Sequence, residues 1–320
     1  MTTTEDIGRP SPFAVDGDTT ANEIDPIRLL LALAAPVEMR ELGLDPYGLD
    51  RYQLQPGDPG LFGPGSIVWR VHSDLPTLLF GGHSSLLLQS LHPRVMAGVV
   101  DHSTMAGDLV PRLLRTARFV LWTTFGGTEL AESAISDVRR VHHRIRGRTS
   151  DGVAYSANDP ELLTYVHVAE VWSLLRSYQR YSTRPLLRAE KDRYLAEIAT
   201  IAERLGARRV PRTVADVREF LGSVEHELKM TEASAGAFDL LDEPISKHPF
   251  EVALHRILHA AALDLLPGFA QRVSGYHPPP PLTIAIRAGA VAYAAALRTT
   301  PGPAAIADIA RRRIAAAPPV

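Results

Sequence analysis

From Leu75 onward the apolar residues recur at the three- and four-residue spacing of a helix, and little in the chain alternates with the two-residue period of a strand. LPTLLFGGHSSLLLQSLHPRVMAGVV predicts two helices broken at His92–Pro93, because proline disfavours helical backbone in the residue before it. LVPRLLRTARFVLWTTFG predicts a third, ending at Gly126–Gly127. TELAESAISDVRRVHHRIRG follows, with Thr128 as N-cap and Gly147 as C-cap. ANDPELLTYVHVAEVWSLLRSYQRY opens with Asp159 as N-cap and Pro160 at the first helical position, the favoured order. RPLLRAEKDRYLAEIATIAERLG, TVADVREFLGSVEHELKM and PFEVALHRILHAAALDLLPGF carry the same period. Pro278–Pro281 breaks it, and two Ala-rich helices follow. Val/Ile alternations are short and do not recur, so no hairpin is expected. No internal repeat is present. The pattern implies an all-α fold, a single globular domain of about eight to ten helices around one core.

Three segments fall outside this period. Residues 1–25 hold too little apolar material to offset chain ordering and are expected to form a disordered arm. Residues 26–270 would form the helical domain, and 271–320 a Pro-rich linker with C-terminal Ala-rich helices. PGDPGLFGPGSIVWRVHSD is dense in Gly and Pro, which predicts a loop with at most a short extended piece at SIVWRV.

Composition narrows the function. Lys+Arg 34 against Asp+Glu 36 leaves a formal net charge of −2, so no global basic field favours nucleic acid. With Cys 0, disulfides, Cys-ligated zinc, iron–sulfur clusters, thiolate-ligated haem and cysteine nucleophiles are excluded. A metal would have to be held by the 12 His, by carboxylates, or through a porphyrin. The polar, acidic N-terminus lacks the apolar stretch of a signal peptide. The longest apolar run, Ala285 to Leu297, is short for a membrane span and is interrupted by Arg287. A cytoplasmic protein without an integral membrane segment is expected.

Four groups of residues could carry chemistry. Gly81–Gly82, in GGHSSLLLQSLHP, costs helix stability, which suits either a loop or a close approach of backbone to a neighbour. Arg112, Arg115 and Thr116 share one helical face interleaved with Leu113, Leu114, Phe119 and Trp122. That face is either solvated or partly buried, in which case its guanidinium groups need an anion such as a carboxylate, a phosphate or a haem propionate. His142 lies on the apolar stripe Ala131, Ile135, Val138, His142, Ile145, and His167 lies with Leu163, Val171 and Leu174, so both point inward. Each is a hydrogen-bonded core histidine or, together, part of a metal or haem pocket. His143 points among arginines instead. His255 and His259, one turn after Glu251, either clip a metal or decorate an ordinary amphipathic helix. The chain has no G-x-S-x-G elbow, Walker A loop, H-E-x-x-H, strand-linked G-x-G-x-x-G or paired Glu-x-x-His.

Taken in order, PGSIVWRV, GGHSSLLLQSLHPRVMAGVVDHS, RLLRTARFVLWTTFG, VRRVHHRIRG and YSANDPELLTYVHVAEVWSLLRSYQRY resemble the haem b-dependent oxygenases of the bacterial latex-clearing (rubber oxygenase) and fungal MpaB type. The resemblance covers roughly residues 60–200, with a weaker echo to about 265. It implies an all-α, globin-like arrangement of helices around haem b, with O₂ as co-substrate. It also implies a proximal iron ligand on the next inward histidine after the R-x-x-K-T helix. Here that motif reads Arg112, Leu113, Leu114, Arg115, Thr116, and the histidine is His142. His167 matches a second family histidine and is the other candidate ligand. Arg115 replaces a lysine that can sit on the distal side of the iron. A guanidinium stays protonated, so Arg115 would be a distal hydrogen-bond donor or a propionate partner. Arg70, Arg112 and Arg115 are the candidate propionate partners, and Arg115, Thr116 and His167 the candidate catalytic residues. Lacking export signal and anchor, the chain is expected to take a small hydrophobic, isoprenoid-type substrate rather than polyisoprene. Two other readings stay open, a non-catalytic haem or small-molecule binding protein and a scaffold without cofactor. So does self-association into a homo-oligomer.

Overall fold

The computed structural model describes Arg40, Asp45 and residues 47–102, 109–244 and 246–316. The expected N-terminal arm lies outside the described residues. Helices are numbered α1 to α13 in chain order: α1 Ile67–His72, α2 Gly82–Ser90, α3 Pro93–His102, α4 Leu109–Phe125, α5 Thr128–His142, α6 Pro160–Tyr181, α7 Arg188–Leu205, α8 Val214–Val224, α9 Glu232–Asp242, α10 Pro249–Leu265, α11 Gly268–Ser274, α12 Pro280–Leu297 and α13 Gly302–Ala315. The fold is all-α, with one small antiparallel hairpin, β1 Arg146–Arg148 and β2 Ala154–Ser156.

Helix α6 is the centre. Asp159 caps it by accepting from the Glu161 N–H at 2.9 Å, and Pro160 opens its first turn, as the sequence predicts. From Leu162 to Leu175 almost every side chain is buried, whichever way it points. Helices α1, α2, α3, α7, α8, α10 and α12 all contact it. Such enclosure explains why its sequence is apolar all round rather than striped. Tyr165 on α6 donates its hydroxyl proton to the Leu88 carbonyl at 2.6 Å and packs with Leu87 of α2 and Leu91 just beyond it.

The tightest contact with α6 comes from a π-helical turn, Thr77–Gly81, that runs straight into α2. A Cβ placed on Gly81 would stand 2.8 Å from the Leu174 Cα and 3.0 Å from the Ser173 carbonyl oxygen. Only hydrogen fits between those backbones. Gly81 is therefore the close approach that the Gly–Gly pair suggests, whereas an added Cβ on Gly82 meets nothing within 4 Å.

Three local expectations are corrected. SIVWRV is helical, because Ser66 accepts from the Trp69 N–H at 3.2 Å and starts α1. Gly127, not Thr128, precedes α5, whose first amide is satisfied by the distant Asp58: the Thr128 N–H and hydroxyl both donate to that carboxylate. Finally, α5 stops at His142 instead of reaching Gly147, which belongs to β1. The hairpin turns through Ser150, Asp151 and Gly152, with Gly152 at φ +84° and the Thr149 N–H donating to the Val153 carbonyl at 2.9 Å. The hairpin also corrects the expectation of none, since Asp151–Gly152 between short extended runs is a hairpin signal.

The C-terminal helices join the core. Ile306, Ile309 and Ala310 of α13 pack with Tyr52, Trp69 and Trp122. Arg313, only 3% exposed, donates to the carbonyls of Tyr52, Phe125 and Asp58 at 3.0, 2.9 and 3.1 Å. Among the described residues the stretch Pro280–Ala315 holds an 18-residue window of mean hydropathy 1.3, of which 11% is buried. By length and composition alone this window is long and apolar enough to cross a bilayer, although Arg287 interrupts the stretch. The property is one of composition alone. Arg287 within it is held at 2.9 Å by Asp264 of α10.

Replacing Gly81 with Ala should destabilise the fold by about 2 kcal/mol or more, because neither backbone can yield. Gly82→Ala should be neutral or slightly stabilising. Thermal unfolding of the two variants checks both, and equal melting temperatures would refute the contact as the reason for Gly81.

Candidate functional site

Helices α4 and α5 are joined by Gly126–Gly127 and pack against one another, so they run antiparallel. The N-terminal half of α4 therefore lies beside the C-terminal half of α5. At that end the Ala157 N–H donates to the Ile145 carbonyl at 2.9 Å, tying the exit of α5 to the approach to α6. Helix α3 closes over the hairpin, with Gly98 in contact range of Ile145 and Tyr155. Deeper in, Phe119 of α4, Ile135 of α5 and Val168 and Val171 of α6 share one apolar cluster.

The two inward histidines flank the hairpin in the chain, His142 ending α5 before it and His167 lying two turns into α6 after it. His142 is the last residue of α5, half-buried, and its buried Nδ1 has no hydrogen-bond partner. His167, two turns into α6, is 8% exposed, and its buried Nε2 also has no partner. Burial pushes the His167 ring down to about 4, and burial followed by the charge of His143 lowers His142. Neutral imidazoles result near pH 7, each with a ring nitrogen whose bonding capacity the protein leaves unused. An unsatisfied buried nitrogen costs about 1–3 kcal/mol, so each of the two calls for an explanation. His143 is exposed and meets the Asn158 side chain at 3.0 Å, in keeping with its place among arginines.

Arg112, Arg115 and Thr116 occupy the half of α4 beside the end of α5. Arg112 and Arg115 are half-buried, and among the described residues no carboxylate lies within ion-pair distance of either. Desolvation, then the charge of Arg115, lowers the Arg112 pKa. Thr116 is exposed and donates to the Arg112 carbonyl at 3.0 Å. Arg70 stands apart from this group. It is ion-paired with Glu190 at 2.9 Å, and Tyr178 also touches its electrostatics. Tyr178 lies eleven residues beyond His167, about 16 Å farther along α6. A propionate role for Arg70 would require its existing ion pair to break.

Two residues that the periodicity did not single out complete the buried polar set. Glu170 follows His167 by three positions, and burial raises its carboxyl to about 7. It acts electrostatically on the fully buried Tyr194, whose hydroxyl lies 3.2 Å from His72 Nε2. His72 Nδ1 in turn meets Thr124 Oγ1 at 2.8 Å. The spacing of three from His167 was a usable sign for Glu170. His72 gave none, because its helix was read as loop. His83, just after Gly81–Gly82, lies in α2 with its Nε2 3.0 Å from His259 Nδ1. His255 Nε2 meets the Leu241 and Asp242 carbonyls at 3.1 Å, so the Glu251, His255, His259 clip is not assembled.

Among the described residues no group of three His, Asp or Glu side chains could hold a metal ion. A porphyrin brings four nitrogen ligands of its own and asks the protein for one. The orphaned nitrogen of His142 or of His167 meets that demand, and Arg112 and Arg115, which have no carboxylate partner among the described residues, suit its carboxylates. Leu113, Ala117, Val120, Val138 and Ile145 are half-buried here and Val141 is 52% exposed, leaving apolar surface for a macrocycle to cover. The residues present fit a haem.

The comparison with known families agrees on class. The family described as ER-bound oxygenase mpaB/B'/rubber oxygenase, catalytic domain, matches residues 69–299, from Trp69 in α1 to just beyond α12. The chain belongs to this oxygenase family, and the match contains Arg112, His142, His167 and Glu170. No curated protein and no solved structure gives a significant match.

Glu170 supplies a pH test. The folded state holds its proton up to about 7, whereas an unfolded glutamate releases it near 4.5. Between these values the folded state binds more protons, so Glu170 costs stability progressively as pH rises. Glu170→Gln should leave stability near pH 4 unchanged and raise it above pH 7 by up to about 3 kcal/mol. Denaturant unfolding at the two pH values decides the matter, and a gain of equal size at both would remove the assignment.

Proposed function

We propose that the chain is a haem b-dependent oxygenase that uses O₂ on a small hydrophobic substrate. The observation that carries this reading is the buried, unpartnered imidazole nitrogens of His142 at the end of α5 and of His167 on α6, in a chain of an oxygenase family. When bound, haem supplies the iron chemistry through which O₂ is activated.

The protein's own residues do the rest. His142 would hold the iron from the end of α5, with its neutral ring set by burial and its position set by the α4–α5 packing. Arg112 and Arg115 would donate charge-assisted hydrogen bonds to the propionates, anions that no carboxylate among the described residues replaces. Thr116, whose hydroxyl proton is engaged by the Arg112 carbonyl, can only accept toward the pocket. The half-covered apolar side chains of α4 and α5 would exclude water and take the substrate. His167 and Glu170, three residues apart on α6, form the buried proton-handling pair. A carboxyl poised near pH 7 both holds and releases a proton at its oxygen under operating conditions. A non-catalytic haem protein would share the ligand but has no use for such a carboxyl.

The purified protein should show a Soret band, with one haem per chain. Acidified organic solvent should extract all the colour, since no Cys is present for covalent attachment. A colourless protein that takes up no added haem would refute the proposal. His142→Ala should fold and lose or shift the Soret band. If His167→Ala loses it while His142→Ala keeps the wild-type spectrum, the ligand is His167.

Replacing Arg112 and Arg115 together by Gln should weaken haem retention at least tenfold, on the order of 1.4 kcal/mol. The rate of haem transfer to apomyoglobin measures this, and an unchanged rate would take both arginines out of the role.

A further inference from the structure

A pocket opens on the side of α6 opposite His167. Arg176 follows His167 by nine residues, which is half a turn round the helix, and the pocket there lies between α6, α7 and α8. Its volume is about 260 Å³, below the usual range for drug-sized ligands and sufficient for a small one. Trp172 and Leu175 supply an apolar wall, and Arg176, Arg180, Lys191 and Arg218 contribute four cations. No carboxylate lines it.

The neighbouring acids do not balance this charge. Asp264 pairs with Arg180 but also with Arg287, outside the pocket. Asp192, next to Lys191, accepts from the Val214 N–H at 2.8 Å at the start of α8. Glu190 is taken by Arg70. Among the described residues Arg176, Lys191 and Arg218 have no carboxylate within ion-pair distance. Two donors that belong to the pocket wall are buried without an acceptor, the Arg176 Nε and the indole N–H of Trp172, which is 8% exposed. Converging cations with buried, unused donors beside an aromatic ring describe a site for an anion attached to an apolar body.

We propose that this pocket binds a small organic phosphate, its phosphoryl group among Arg176, Arg180, Lys191 and Arg218 and its apolar body against Trp172 and Leu175. A phosphate carries about −1.5 to −2 at pH 7 and three acceptor oxygens, which matches the surplus of cations better than one carboxylate does. Arginine meets such oxygens in pairs, and the indole face accepts a flat apolar group. The site is separate from the haem end and does not depend on haem being bound.

Isothermal titration of the purified full chain with 1-naphthyl phosphate tests this directly. Saturable one-to-one binding in the micromolar range is expected, with inorganic phosphate, 1-naphthoate and uncharged 1-naphthol each at least tenfold weaker. Arg176→Gln should lower affinity for 1-naphthyl phosphate at least tenfold. Because Arg176 is half-buried, the exposed Arg218→Gln combined with Lys191→Gln provides a second test, with the same loss expected. No saturation by 1 mM, or undiminished affinity in a folded Arg176→Gln and in the double variant, would overturn the proposal. Tight binding of 1-naphthol would overturn it as well, by showing an apolar pocket indifferent to charge, and equal binding of 1-naphthoate would overturn the phosphate assignment.

Discussion

The approach of the Gly81 backbone to the Leu174 backbone is the contact on which the rest of the molecule is arranged. Helix α6 can be enclosed along its length only if the chain crossing it comes close enough to leave no void, and protein interiors tolerate few voids. A side chain at position 81 would hold the π turn off α6. It would also displace α2, which continues from that turn and packs Leu87 and Leu88 against Tyr165 and Ala169. The remaining helices then fill the perimeter.

Enclosing a helix on all sides makes every polar group on it expensive. His167, Glu170, Trp172 and Arg176 all lie on α6, and each keeps a polar atom or a charge away from bulk water. They divide between two directions. His167 lies two turns into α6, while Trp172 and Arg176 line the pocket formed with α7 and α8. One central helix thus carries a neutral, unpartnered imidazole nitrogen near its start and one wall of a cationic pocket farther along.

Much of the fold was legible because helix signals are local. Asp159–Pro160 starts α6, Thr213 caps α8 together with Asp216, and Pro280 opens α12, each through interactions within a turn or two. What escaped depended on distant partners or on competing signals. Asp58 caps α5 across the fold, so the local sequence pointed to Thr128. Asp151–Gly152 turns a hairpin too short to interrupt the surrounding helical period. The helix of α1 begins at a Ser66 cap inside a Gly/Pro-rich stretch whose composition spoke for loop. Of the candidate site, His142, His167, Arg112 and Arg115 were readable from stripes and spacing, whereas His72 and Tyr194 meet only through tertiary packing.

By itself the sequence determined that this is an all-α protein with no cysteine chemistry, and it placed two histidines on inward helix faces, because hydrophobic period and residue type are properties of the chain. Only the tertiary structure decided which polar groups find partners. Arg70 is satisfied by Glu190 and Arg313 by three carbonyls, while His142, His167 and the pocket arm of Arg176 are left with unused nitrogen atoms. Whether a buried polar atom is satisfied depends on what other segments bring within about 3 Å of it, and that distance is set by packing rather than by order along the chain.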